Sequence, residues 1–189
     1  MSRAGLTEEV SGRAFGLALA AISVGALFLR CWGLEQQPLT QDDAVVAISA
    51  VNYVELGHLG PTMWNHPNLR NLLVYLSLWR FGDGVWALKG VSVVLGSLAV
   101  PLLALAAARL LGSRLAAVLA AGFLALDPLH LDLSRQAVHE VYMMTFSLAG
   151  LLCVLEYRRS QLWPLLLAAG LGFGLGLASK WYVAFTLLP

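Results

Sequence analysis

The chain has 189 residues, of which 59% are hydrophobic and 12% charged, and its net charge is +1. A soluble domain carries about a quarter charged residues, and here the shortage runs along the whole length, which excludes a soluble domain on a single anchor. The near-neutral balance, with no Lys/Arg-rich run, excludes nucleic acid as a partner.

The first element is an apolar run from Ala14 to Trp32, preceded by Arg3 and Arg13. No small-residue cleavage site follows it, so it reads as a retained membrane span and not a signal peptide. From Gly33 to Gly84 comes a long connection with helical pattern of its own. Thr40-Gln41-Asp42-Asp43 opens one amphipathic helix over 42–56, ended by Gly57, and His66-Pro67 opens a second over 68–81, ended by Gly82. Their apolar stripes suit helices lying on a membrane surface, and the second also reads as a short re-entrant piece, with Arg70 and Arg80 bracketing its apolar stretch.

Four more segments are apolar enough to cross, given a need for about 20 residues each. They run over 85–111, 115–126 (long enough only if it extends to Leu131), 136–157 and 162–179, and a sixth begins at Trp181. Cys31 and Cys153 lie in or beside these runs and read as small apolar residues. The glycines 170, 172, 174 and 176 have no preceding strand and no dinucleotide-loop spacing; they form small-xxx-small faces for close helix packing. The expected fold is therefore all-α, a polytopic helical bundle of five to six spans forming one transmembrane module over 1–189, with juxtamembrane helices in the 33–84 connection.

Orientation follows from the basic residues. With the N-terminus cytoplasmic, Arg3, Arg13, Arg109, Arg114, Arg158 and Arg159 fall inside. Most acids then fall outside, namely Glu35, Asp42, Asp43, Glu55, Asp83, Asp127, Asp132 and Glu140.

The ionisable groups on that outer side are the candidate site. Asp43 stands where a capping box with Thr40 wants an acid, which leaves Asp42 as a carboxylate free to act as general base or metal ligand. His66 and Arg70 are one turn apart and could share an anion. In the stretch 127–140, Asp132, Arg135 and His139 share a face at helical spacing. They form either an internal ion pair in a hydrated loop or a phosphate grip centred on Arg135. His139-Glu140 is not a zincin motif, because the second histidine would fall at Met143. Lys180, before Trp181 and Tyr182, reads either as a snorkelling lysine in an aromatic belt or as a second phosphate contact.

Taken in order, five features resemble the GT-C glycosyltransferases that use polyprenyl-phosphate sugars, in the branch of protein O-mannosyltransferases and bacterial lipid A aminoarabinose transferases. They are Arg30-Cys31-Trp32-Gly33-Leu34, Asp42-Asp43-Ala44, His66-Pro67-Asn68-Leu69, Asp127-Pro128 leading to Leu133-Ser134-Arg135, and Gly176-Leu177-Ala178-Ser179-Lys180. The resemblance implies a polyprenyl-phosphate-linked sugar donor, a hydroxyl-bearing acceptor (lipid, glycan or protein), an extracytoplasmic site in the cell membrane, and inversion at the anomeric carbon. It matches Asp42 to the catalytic base and Asp43 to the Glu that follows it in the family. It places Arg135, Lys180 and His66 near the donor phosphate, with Arg70 and Glu140 as further substrate contacts. No cofactor is required, although two adjacent carboxylates leave a divalent metal open. Asn68 departs from the family's His-Pro-Pro-Leu. The chain is also shorter than family members, which suits an N-terminal portion. A noncatalytic membrane fragment that binds lipid-linked sugar or a partner subunit, and a transporter component, are the rival readings.

Overall fold

The computed structural model describes residues 11–57, 67–182 and 184. Among the described residues eight α-helices follow in order: α1 Gly12–Cys31, α2 Gln41–Leu56, α3 Leu69–Phe81, α4 Val85–Leu111, α5 Arg114–Leu126, α6 Pro128–Leu133, α7 His139–Ser160 and α8 Pro164–Ser179. Among the described residues three stretches are long and apolar enough to cross a bilayer: Gly12–Gln36, Val85–Leu111 and His139–Ser160. The helices α5 and α8 are apolar but shorter. The fold is that of a polytopic helical membrane protein.

The local reasons are legible. Ser11 caps α1 by accepting from the Ala14 N–H, and Ser113 caps α5 by accepting from the Ala116 N–H. The α5 helix stops at Asp127 because Pro128 cannot continue the hydrogen-bond ladder, and the Asp127 carboxylate then caps α6 by accepting from the His130 N–H at 2.7 Å. The apolar stretch expected over 115–131 is thus two helices meeting at a proline. The span expected from Gln136 begins as a helix only at His139, because residues 134–138 form the turn between α6 and α7.

Small residues set the helix spacing. Ala117, Ala121 and Ala125 of α5 recur on one face and pack with Ala26 of α1 and Val100, Ala104 and Ala107 of α4. Between apolar helices in lipid, such residues let backbones approach and gain dispersion energy where burial from water supplies none. The α7–α8 pair packs closely at Gly150 and Gly172: a Cβ on Gly172 would lie 2.7 Å from Gly150 N and 2.8 Å from its Cα. Gly170 and Gly174 face open space, so only one of the two expected small-residue faces is used within this chain.

The two ends of the bundle differ in chemistry. At one end, Arg109 of α4 pairs with Glu156 of α7, and Arg158 and Arg159 lie in the last turn of α7. At the other end lie the C-terminus of α1, the N-termini of α2, α4 and α7, the turn 134–138 and the end of α8. Nearly all the candidate site residues fall there.

Candidate functional site

Thr40 and Asp43 build the capping box at the start of α2. The Thr40 N–H donates to Asp43 Oδ2 at 2.9 Å, and the Asp43 N–H donates to Thr40 Oγ1 at 3.3 Å. Asp43 does more than cap. It is fully buried, its Oδ2 lies 3.1 Å from Lys89 Nζ of α4, and its Oδ1 accepts from the Ala137 N–H at 2.7 Å. Lys89 is equally buried and also donates to the Pro38 carbonyl at 3.2 Å. A lysine inside an apolar helix needs such a partner; the sequence reading passed over Lys89, and its isolation in an otherwise uncharged stretch is the signal that could have found it.

Asp42, the neighbour, is placed differently. Its side chain is 55% exposed, and one oxygen meets Arg70 Nη1 at 3.2 Å. Arg70 comes from the first turn of α3 and is buried. It also donates from Nη1 to the Ala137 carbonyl at 2.9 Å and from Nε to Asn71 Oδ1 at 3.1 Å. Burial pulls the Arg70 pKa below the usual guanidinium value, and the Asp42 carboxylate works against that loss.

The Ala137 peptide is therefore held from both sides. Asp43 takes its N–H and Arg70 donates to its C=O. Because Ala137 lies between Arg135 and Glu140, these two bonds register the 135–140 segment against the N-terminus of α2, where Asp42 sits.

Glu140, in the first turn of α7, pairs with Lys180 at the end of α8, and Lys180 Nζ also lies 5.2 Å from the Tyr182 ring centroid. The His139 ring Nδ1 is 2.8 Å from the Ser179 carbonyl. These contacts fasten the end of α8 to the start of α7. Arg135 donates from Nη2 to the Trp32 carbonyl at 2.6 Å, at the end of α1, and its Nε is buried with no partner among the described residues. The face expected to join Asp132, Arg135 and His139 does not form, because the turn at 134–138 interrupts the helix. Asp132 accepts instead from Gln136 Nε2 at 2.9 Å.

A second buried polar pair lies beside this end. Arg30, fully buried near the C-terminus of α1, donates to the Ala26 carbonyl at 2.9 Å and to His130 Nδ1 of α6 at 2.7 Å. Burial first, and the Arg30 charge second, push the His130 pKa down to about 4. The ring is then neutral at pH 7, with Nδ1 accepting and the proton on Nε2. His130 also lines a cavity of about 180 Å³ together with Asp127 and Glu140.

The structure thus gathers Asp42, Asp43, Arg70, Arg135, Glu140 and Lys180 at one end of the bundle. His66 lies outside the described residues. No group of three or more His, Cys, Asp or Glu side chains is arranged to hold a metal among the described residues. The Asp43 oxygens are already engaged by two backbone N–H groups and an ammonium, so the adjacent carboxylates do not present a free bidentate pair. Cys31 and Cys153 are free thiols.

Apolar helices that end together in an interlocked cluster of carboxylates and cations define a polytopic membrane protein with a polar site at one surface. Residues 62–189 match the family model described as dolichyl-phosphate-mannose-protein mannosyltransferase. The match covers more than half of the chain, and the chain belongs to that GT-C family of membrane glycosyltransferases. No curated protein and no solved structure matches it.

Proposed function

We propose that this chain transfers a sugar, mannose in keeping with the family, from a polyprenyl-phosphate donor to a hydroxyl acceptor on the extracytoplasmic side, with inversion. The acceptor that the family's description favours is a protein hydroxyl. The observation that carries the reading is the double hold on Ala137, which sets an exposed carboxylate, Asp42, beside the segment that presents Arg135 and Glu140.

Asp42 is the general base. One oxygen is oriented by Arg70, and the other is left to take the acceptor's proton. As that proton leaves, the hydroxyl oxygen attacks the anomeric carbon. The bond from that carbon to the phosphate oxygen breaks on the opposite face, and the lipid phosphate departs with the electron pair. General-base catalysis of this kind contributes about 10²–10⁴-fold. Arg135 and Lys180, with His66, are the donors for the leaving phosphate, whose growing charge is best met by groups already in place. Arg70 orients the base by holding Asp42, and Glu140 orients one phosphate donor by holding Lys180. Asp43, enclosed on all sides, acts by position, since it ties α2, α4 and Ala137 together. The basic residues at the far end of the bundle support a cytoplasmic assignment for that end.

Replacing Asp42 by Asn tests this. With radiolabelled polyprenyl-phosphate mannose in reconstituted membranes, transfer should fall by about 10²–10⁴-fold while donor binding stays within about threefold of the parent. Transfer that persists within about tenfold would remove Asp42 from the role of base.

A further inference from the structure

Ser134, the residue before Arg135, is seated on a glycine. That glycine, Gly96, lies in the buried face of α4. A Cβ built on Gly96 would overlap Ser134 Oγ, would lie 2.5 Å from Ser134 Cβ, and would be 3.4 Å from Arg30 Nε. Ser134 is fully buried, and its hydroxyl donates to the His130 carbonyl, one turn back along α6. Carbon atoms in contact need about 3.5–4.0 Å, so a methyl group at 96 must lift Ser134 by an ångström or more.

The consequence reaches further than one contact. Beside the notch, the end of α1 is tied to α6 by Arg30 to His130 Nδ1 at 2.7 Å and to the following turn by Arg135 to the Trp32 carbonyl at 2.6 Å. Beyond it, Ala137 is fixed by Asp43 and Arg70. The turn 134–138 is therefore pinned at its far end by hydrogen bonds to Ala137, and at its near end Ser134 and Arg135 keep their own hydrogen bonds only if α4 leaves room for the Ser134 side chain. Arg135 stands between the two.

We propose that Gly96 is a positioning residue for the lipid-phosphate subsite: the notch it leaves in α4 seats Ser134 and so sets where the Arg135 guanidinium stands. The proposal rests on the reading of Arg135 as a contact of the donor phosphate. Alanine is a better helix former than glycine, so a loss on Gly96→Ala would come from the lost notch and not from helix propensity. Removing the opposing side chain should restore the room, because with Ser134→Gly the closest remaining neighbour of a Cβ at 96 is Arg30 Nε at 3.4 Å.

The test combines two readouts on the full chain in nanodiscs. The first is hydrogen–deuterium exchange of peptides covering 127–138. The second is KM and kcat for polyprenyl-phosphate mannose, with Arg135→Ala as reference. In Gly96→Ala, exchange in 130–135 should rise about tenfold and KM about fivefold or more. Both should move back toward the parent in Gly96→Ala/Ser134→Gly. Unchanged exchange in Gly96→Ala overturns the notch. Raised exchange with an unchanged KM, while Arg135→Ala raises KM, overturns the link between the notch and the subsite. If Arg135→Ala itself leaves KM unchanged, the reading of Arg135 fails, and the exchange data alone then judge the seating of Ser134. A fall in kcat with unaltered KM and no rescue by the double variant would mark Gly96 as merely structural and overturn the proposal.

Discussion

The buried Asp43–Lys89 pair gives the sharpest energetic prediction. Asp43 accepts from the Thr40 and Ala137 N–H groups and faces the Lys89 ammonium, with neither side chain exposed. Replacing Asp43 by Asn keeps the volume but supplies one carbonyl oxygen and one NH2 group. If the carbonyl faces Ala137, the NH2 group meets the Thr40 N–H and Lys89; if it is flipped, the NH2 group meets the Ala137 N–H. Either way a buried donor is left unmet, and Lys89 keeps only the Pro38 carbonyl at 3.2 Å, with no countercharge. Removing one partner of a buried ion pair costs about 3–5 kcal/mol. Lys89→Met added to Asp43→Asn removes the stranded cation, so the double variant should recover about 2 kcal/mol of the summed losses. Unfolding of the purified protein in mixed micelles with increasing SDS, followed by circular dichroism, measures all three variants. A loss below about 1 kcal/mol for Asp43→Asn, or strict additivity of the two single losses, would refute the view that these groups depend on each other.

Two other sites carry predictions of a different kind. His130 titrates at about 4 when folded against 6.5 as a free side chain, so between those values the unfolded chain binds more protons. Its contribution is complete above pH 6.5 and is lost as pH falls toward 4, by up to about 3 kcal/mol. His130→Asn keeps an acceptor for Arg30 without a titrating group, so its unfolding midpoint should be flatter than the parent's across that window; parallel curves would contradict the assignment. Gly172→Ala should destabilise by about 1–3 kcal/mol, because the Gly150 backbone must move away, whereas Gly174→Ala, facing open space, should be near neutral. Equal effects at the two positions in the same unfolding assay would show that α7 and α8 do not meet as described.

Several features could be read before any coordinates. Mean composition and run length gave the apolar helices, and Thr40, Asp43, Gly57 and Gly82 marked the bounds of α2 and α3 to within a residue, because capping chemistry is local. The glycines of α8 announced close packing, though not that Gly172 and not Gly174 would meet α7. That choice depends on how the two helices rotate against each other, which no local pattern encodes. The break at 134–138 was also hidden: residues 136–157 are apolar enough to read as one helix, and only the long-range bonds from Asp43 and Arg70 to Ala137 explain why the turn persists. The reading of 85–111 as a plain apolar span passed over Lys89, an isolated charge whose partner lies 46 residues earlier and on a different helix. Arg30 stood out as the end of the first span, while its pairing with a histidine 100 residues away could come only from the fold.

The central claim is that the head of a lipid-linked sugar sits at the end of the bundle where Asp42, Arg70, Arg135, Glu140 and Lys180 meet. Photo-cross-linking measures this directly. A polyprenyl-phosphate mannose carrying a diazirine on the sugar is bound to the protein in nanodiscs and irradiated, and the labelled peptides are mapped by mass spectrometry. Label confined to peptides covering 40–44, 68–72, 133–141 and 178–182, and competed by unlabelled donor, is the predicted result. Label falling instead at the opposite end, around Arg109 and Glu156, would contradict the account.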